Sequence, residues 1–141
     1  MDVERRLRVA IGVLAVVGLG IATYLTVVRI QGHSPKCVIG GDCARVQTSR
    51  YATLAHIPVP VLGLAGYLAL LASALMAGVR GRLLGLLAGI VGMGFSWWLT
   101  YVEFGIIDAI CPWCVTSAIV VTVAAALAVW RAFLPVPDPA A

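Results

Sequence analysis

Four stretches of this chain run for roughly 20 residues or more without a charged side chain: 9–28, 58–79, 83–102 and 109–130. An α-helix rises about 1.5 Å per residue, so each run matches a hydrocarbon core about 30 Å thick. Backbone N–H and C=O groups find no water in such a core, and the runs should therefore be helices. The rest of the chain could not cover a water-facing surface. Of the 141 residues, 62% are hydrophobic and 11% are charged, where a soluble domain carries roughly 25% charged residues. The expected fold class is an all-α membrane protein, a four-transmembrane-helix bundle that occupies residues 1–134 as a single domain. Residues 135–141 contain Pro135, Pro137 and Pro139, cannot continue a helix, and are expected to form a disordered tail. The alternative for the first run is a cleaved signal peptide. The run is too long for an ordinary apolar h-region and shows no convincing small-x-small cleavage site before Tyr24.

The formal net charge of +4 is small and scattered. It excludes nucleic acid as a partner and leaves the basic residues as topology determinants. Arg5, Arg6 and Arg8 precede the first helix, Arg80 and Arg82 flank a turn expected around Gly81, and Arg131 follows the last helix. The positive-inside rule puts these places and both termini in the cytoplasm, and segments 29–57 and 103–108 outside. Arg29, Lys36, Arg45 and Arg50 in the first outer segment argue against this orientation; Glu103 and Asp108 in the second, with no base beside them, argue for it. The cysteines supply an independent signal. Cys37, Cys43, Cys111 and Cys114 all fall in the two outer segments or at their helix junction, on the side where disulfides form and persist. Gly85 with Gly89, and Gly63 with Gly66, are expected to serve close helix packing.

Cys111-Pro112-Trp113-Cys114 is a Cys-x-x-Cys pair at the head of an apolar run. Pro112 suits the first position of a helix, where its missing N–H costs nothing. Cys111 then stands at the N-cap and Cys114 at the third helical position, where unpaired N–H groups and the helix dipole favour a thiolate. Cys37 and Cys43 bracket Val38-Ile39-Gly40-Gly41-Asp42, whose Gly-Gly step permits a turn tight enough to bring the two sulfurs into range. Asp42 can cap a short interfacial helix over 44–55, too polar to span. Three chemistries compete for the four cysteines: a redox relay, static structural disulfides and a zinc site. Zinc knuckles use shorter spacing than the first pair has, and a Cys-x-x-Cys at a helix start is a poor staple. The relay is the favoured reading, with no metal.

A dithiol at the bilayer needs an electron acceptor, and membranes hold one in lipid-soluble quinone. A flat apolar molecule with two carbonyl acceptors calls for an aromatic pocket with one or two donors. Phe95, Trp97, Trp98 and Tyr101 cluster near the outer end of the third run, level with Cys114. An interfacial aromatic belt would look the same.

These features together resemble the vitamin K epoxide reductase family, in particular its bacterial, disulfide-making members. The resemblance rests on Cys37 and Cys43, Ser49 six residues on, "HIPVPVLGLAGY" leading into the second helix, and Cys111-Pro112-Trp113-Cys114 opening the fourth. DsbB-type quinone reductases, analogous in function, carry their Cys-x-x-Cys pair in the first outer loop, whereas here it comes last. The resemblance implies a four-helix bundle around a quinone, menaquinone or ubiquinone, in a bacterial inner membrane. It implies that Cys114 faces the quinone with Cys111 as disulfide partner, that Cys43 exchanges with Cys111, and that Cys37 meets an external thiol protein. It further implies that Ser49 donates to a quinone carbonyl. The chain has no Asn, and Ala118 stands four residues past Cys114, where epoxide-reducing mammalian members use an Asn and a Tyr; quinone reduction is therefore expected instead of epoxide reduction. Many bacterial members carry a fused thioredoxin-like domain; here the partner is expected to be a separate, DsbA-like thioredoxin-fold protein. The alternative is a non-enzymatic bundle whose outer loops are pinned by structural disulfides.

Overall fold

Apolar composition makes the helices, but polar contacts at their ends decide where they stop. The computed structural model describes residues 2–31, 53–54, 57–107 and 111–135. Within them, α1 spans Asp2–Ile30, α2 Val59–Leu75, α3 Gly78–Val102 and α4 Pro112–Phe133; α3 continues into a π-helical turn, Glu103–Ile107. Two short strands precede α2: β1 (Thr53–Leu54) pairs antiparallel with β2 (Ile57–Pro58). The helices stand in the order α1, α2, α3, α4 around the bundle, each packed on its two neighbours. Three of them, α1, α3 and α4, are long and apolar enough to cross a membrane; α2 is apolar but has 17 residues, at the lower limit for a span.

Three expectations change. The second run ends as a helix at Leu75, so Gly78 and Val79 belong to α3. The turn lies at Met76 and Ala77, both extended, and is completed by Gly78 at φ +84, a backbone conformation that glycine adopts without penalty. Gly81 is no turn residue: it sits inside α3, where a Cβ would overlap the Met76 carbonyl. Arg80 and Arg82 are likewise helical. Finally, Thr53 and Leu54, assigned from sequence to a helix over 44–55, are extended. The reason lies downstream. A residue before proline is pushed out of the α region, so Ile57 before Pro58 is extended, and its partner Leu54 must match it. The remainder of that expected helix lies outside the described residues, as do positions 136–141 of the tail.

The core is built from Ile11, Ala15, Ala22, Tyr67, Leu70, Ala74, Val120, Val121, Ala124 and Ala128. Alanines let backbones approach closely. Gly85 and Gly89 serve the same end: a Cβ at Gly89 would fall 3.0 Å from Ala125 Cα, and one at Gly85 2.9 Å from Ser73 Oγ. Gly63 faces Ala22, whereas Gly66 has no such neighbour. The outward side chains are also apolar, among them Val13, Val16, Leu68, Leu87, Val91 and Ile119. Such a surface is stable against lipid and not against water.

The end of the bundle remote from the cysteines is closed by arginines. The last carbonyls of a helix have no partner within it, and those of α2 are met from both sides. Arg8 of α1 donates to the Ala74 and Leu75 carbonyls at 2.7 and 2.9 Å. Arg131 of α4 donates to those of Ser73 and Met76, both at 2.8 Å. Glu4 of α1 then pairs with Arg131 at 2.8 Å and with Arg82 of α3 at 3.2 Å. Arg82 also holds the Leu134 carbonyl at 2.6 Å. One carboxylate and three guanidiniums thus join all four helices.

Candidate active site

Pro112 opens α4, and Cys111 is its N-cap with extended backbone (φ −105, ψ 106). The Val115 N–H closes the first turn on the Cys111 carbonyl at 3.0 Å. Cys111 is fully buried and Cys114, two positions into the helix from Pro112, is half-buried. The N-terminal N–H groups of α4 point past this pair and favour negative charge there. Trp113 packs on Tyr24 of α1 with ring centroids 4.9 Å apart, fixing the head of α4 against the first helix.

Facing the pair is a carboxylate. Glu103 begins the π-turn, its own N–H shared between the Leu99 and Thr100 carbonyls. Its side chain is 2% exposed. Glu103 Oε2 accepts from the Cys111 N–H at 3.3 Å, and the Cys114 side chain hydrogen-bonds the same carboxyl group. A π-turn inserts an extra residue into a helical repeat and is found mostly where a helix carries function. Here it lies where α3 turns back toward α4.

A cavity of about 120 Å³ lies between the helices, walled by Cys114, Glu103, Phe95, Thr100, Tyr67 and Ser117 together with aliphatic side chains of α1 and α2. This is somewhat less than the dry cavity of about 150 Å³ that takes up benzene, so the space is on the scale of a single ring. Tyr67 Oη lies 2.6 Å from Ser117 Oγ and 3.0 Å from the Ser117 carbonyl oxygen, which orients two hydroxyls at the cavity wall. Tyr67 itself lies across Gly18, where any Cβ would overlap its ring.

Of the aromatic cluster read from sequence, Phe95 reaches this cavity. Trp97, Trp98 and Tyr101 are more than half exposed on the outer face of α3. Trp97 Nε1 donates to Thr122 Oγ1 at 2.9 Å, and Trp98 stacks on Tyr101. Cys37, Cys43 and Ser49 lie outside the described residues. Sequence reasoning passed over Glu103, Tyr67 and Ser117 as site residues. For Glu103 a signal existed: an acid at the edge of an apolar span, eight residues from a Cys-x-x-Cys pair, is costly unless it has a function.

The sequence model of the vitamin K epoxide reductase family matches residues 9–129, which takes in α2 and α3, most of α1 and α4, and both cysteine pairs. The chain belongs to the vitamin K epoxide reductase family. Membership makes it a membrane oxidoreductase of the quinone-linked thiol type in general. A vitamin K epoxide reductase family member needs a reactive thiol beside an apolar, ring-sized space. Cys114, Phe95 and the hydroxyls of Tyr67 and Ser117 line one such space here.

Proposed function

We propose that this protein is a thiol:quinone oxidoreductase that makes disulfides for a thioredoxin-fold partner outside the cytoplasm. Electrons enter at Cys37–Cys43, pass to Cys111–Cys114, and leave to menaquinone or ubiquinone. The single observation that carries the reading is the placement of Cys114, in the first turn of a helix at the wall of an apolar cavity. Bound quinone supplies a two-electron, two-proton acceptor. The chain's own residues do the rest. The N-terminus of α4 favours the Cys114 thiolate, Phe95 lies along the ring, and Ser49 donates to a carbonyl. Trp97, Trp98 and Tyr101 serve as an interfacial belt. The arginine-rich end of the bundle faces the cytoplasm with both termini, and the cysteines face the opposite side of a bacterial inner membrane. Supporting this orientation, Arg131 stands twenty residues along α4 from Cys111, about 30 Å away.

The deciding experiment mixes purified protein, a short-chain quinone and a reduced thioredoxin-fold protein, and follows quinol by absorbance. Quinol should appear at the rate at which the partner's dithiol is lost. No quinol, with both cysteine pairs resisting the partner, would favour static disulfides.

The route between the pairs has its own test. Reduction of Cys37–Cys43 frees Cys43 to attack Cys111; Cys114 departs as thiolate and then takes up the proton that Cys43 gave up. Cys37 then reclaims Cys43. In Cys37→Ser the resolving thiol is gone, so a Cys43–Cys111 bridge should accumulate, visible by peptide mapping without reductant. A dominant Cys43–Cys114 bridge would reverse the roles within the Cys-x-x-Cys pair.

A further inference from the structure

The relay just proposed leaves two protons without a route. When Cys111 and Cys114 become a disulfide, two S–H bonds break and one S–S bond forms. Two electrons and two protons pass to the quinone, which leaves as quinol. The electrons have Cys114. For a proton, the cavity wall offers one carboxyl group, and it already contacts the reacting sulfur.

We propose that Glu103 is a catalytic base for this reaction: its carboxylate takes the proton of the Cys114 thiol, passes it across the cavity toward a quinone oxygen and, a carboxylate again, takes the Cys111 proton to the second oxygen as the disulfide closes. The inference rests on the thiol:quinone reading above. Three observations carry it. Glu103 hydrogen-bonds the Cys114 side chain and also accepts from the Cys111 N–H at 3.3 Å, so one group touches both members of the pair. It lines the same cavity as Cys114, within reach of a ring seated there. And it is 2% exposed yet takes part in neither ion pair among the described residues. A buried carboxyl held for structure alone is ordinarily paired with a cation; this one is paired with a thiol and a helix N-terminus.

The placement also resolves a conflict. The N-terminus of α4 favours one negative charge nearby, and two groups can carry it, Glu103 and Cys114. With one proton between them, the charge sits on either the carboxylate or the thiolate, and the helix stabilises both. Moving the proton from sulfur to oxygen therefore shifts charge over a short distance within a site already arranged to hold it. Among the described residues, the titratable groups that share this space are Cys111 and Cys114 of α4 and Tyr67 of α2. Tyr67 is engaged with Ser117.

Glu103→Gln separates chemistry from architecture, because the amide oxygen can still accept from the Cys111 N–H but cannot take a proton from sulfur. Pre-reduced protein is mixed with a short-chain ubiquinone, and a single turnover is followed across neutral to alkaline pH. General-base catalysis is worth about 10²- to 10⁴-fold, so Glu103→Gln should be slower by that factor near pH 7. Its residual rate should climb about tenfold per pH unit below the ordinary thiol pKa of about 8.5, as solvent takes over deprotonation. Glu103→Asp, which keeps the carboxylate, should retain the wild-type pH profile at reduced rate. A Glu103→Gln variant with wild-type rate and profile would overturn the assignment while leaving the thiol:quinone reading intact. Wild-type protein that fails to reduce quinone in the same mixture would overturn both. If Glu103→Gln does not fold, redox-difference infrared spectra of the wild type decide. Glu103 should be a carboxylate in both states, its stretching bands shifting when the disulfide removes the Cys114 S–H donor; a carboxylic-acid carbonyl band in the dithiol state, or carboxylate bands identical in the two states, would overturn the proposal.

Discussion

Cys114→Ser loses quinone reduction, by on the order of 10⁴- to 10⁶-fold as when an enzyme's nucleophile is removed, while the helix bundle stays folded. Both halves of the result follow from position. A serine hydroxyl cannot form the disulfide or supply the electron pair, so no slower version of the same route remains. Yet Cys114 is half-buried at the third position of α4, and its backbone is held by a turn that begins at Cys111. Serine is a close match in size and suits the first turn of a helix. The measurement is quinol formation beside a melting curve in detergent. Turnover near the wild-type rate would sink the role of Cys114. Cys111→Ser is the less informative companion, because Cys111 is 0% exposed and a hydroxyl there needs a new partner.

Glu4→Ala should cost about 3–5 kcal/mol of stability, the usual penalty for leaving buried charges uncompensated. Arg131 and Arg82 are 1% and 6% exposed, and Glu4 is the only acid that pairs with either among the described residues. Arg131 would keep its carbonyl acceptors at Ser73 and Met76, but two guanidiniums would face one another with no anion between them. The loss is read as a drop in denaturation midpoint in micelles, with quinone reduction per folded molecule unchanged. Adding Arg131→Met should return part of it, since the double variant removes a charge along with its partner. A midpoint unmoved by Glu4→Ala would show that the cluster is solvated and of little energetic weight.

The helices were legible because lipid leaves the backbone so few options: an uncharged run of sufficient length has one structure available to it. Their ends were less legible because they are set by groups far away in sequence. Arg80 and Arg82 read as turn residues, since charges usually leave the membrane at a turn. Arg82 stays in the helix and stays buried because Glu4 and the Leu134 carbonyl are there to receive it, contacts that no local pattern announces. The aromatic cluster shows the same limit. Phe95, Trp97, Trp98 and Tyr101 are near one another in sequence, but at 100° per residue a helix deals them to different faces. Phe95 shares its face with Leu99 and Glu103, at the i, i+4, i+8 spacing. That spacing was readable; which face would meet α4 was not. Cys111 at the N-cap followed from Pro112 alone, a local rule with a local outcome. Glu103 escaped because its carboxyl was counted for its charge and not for its neighbours.

The arginine closure at the far end of the bundle also has a direction in time. Glu4 lies 127 residues before Arg131, so a chain made from its N-terminus sets its carboxylate at the membrane surface long before the final helix exists. Arg82 can reach it when the third helix arrives; Arg131 can do so only with the fourth. The last span therefore enters as a latch. It caps the C-terminal carbonyls of α2, pairs with Glu4 of α1 and, at its other end, carries Cys111 and Cys114 into place against Glu103. The redox pair and the lock on the bundle ride on one helix, and neither can be assembled ahead of the other.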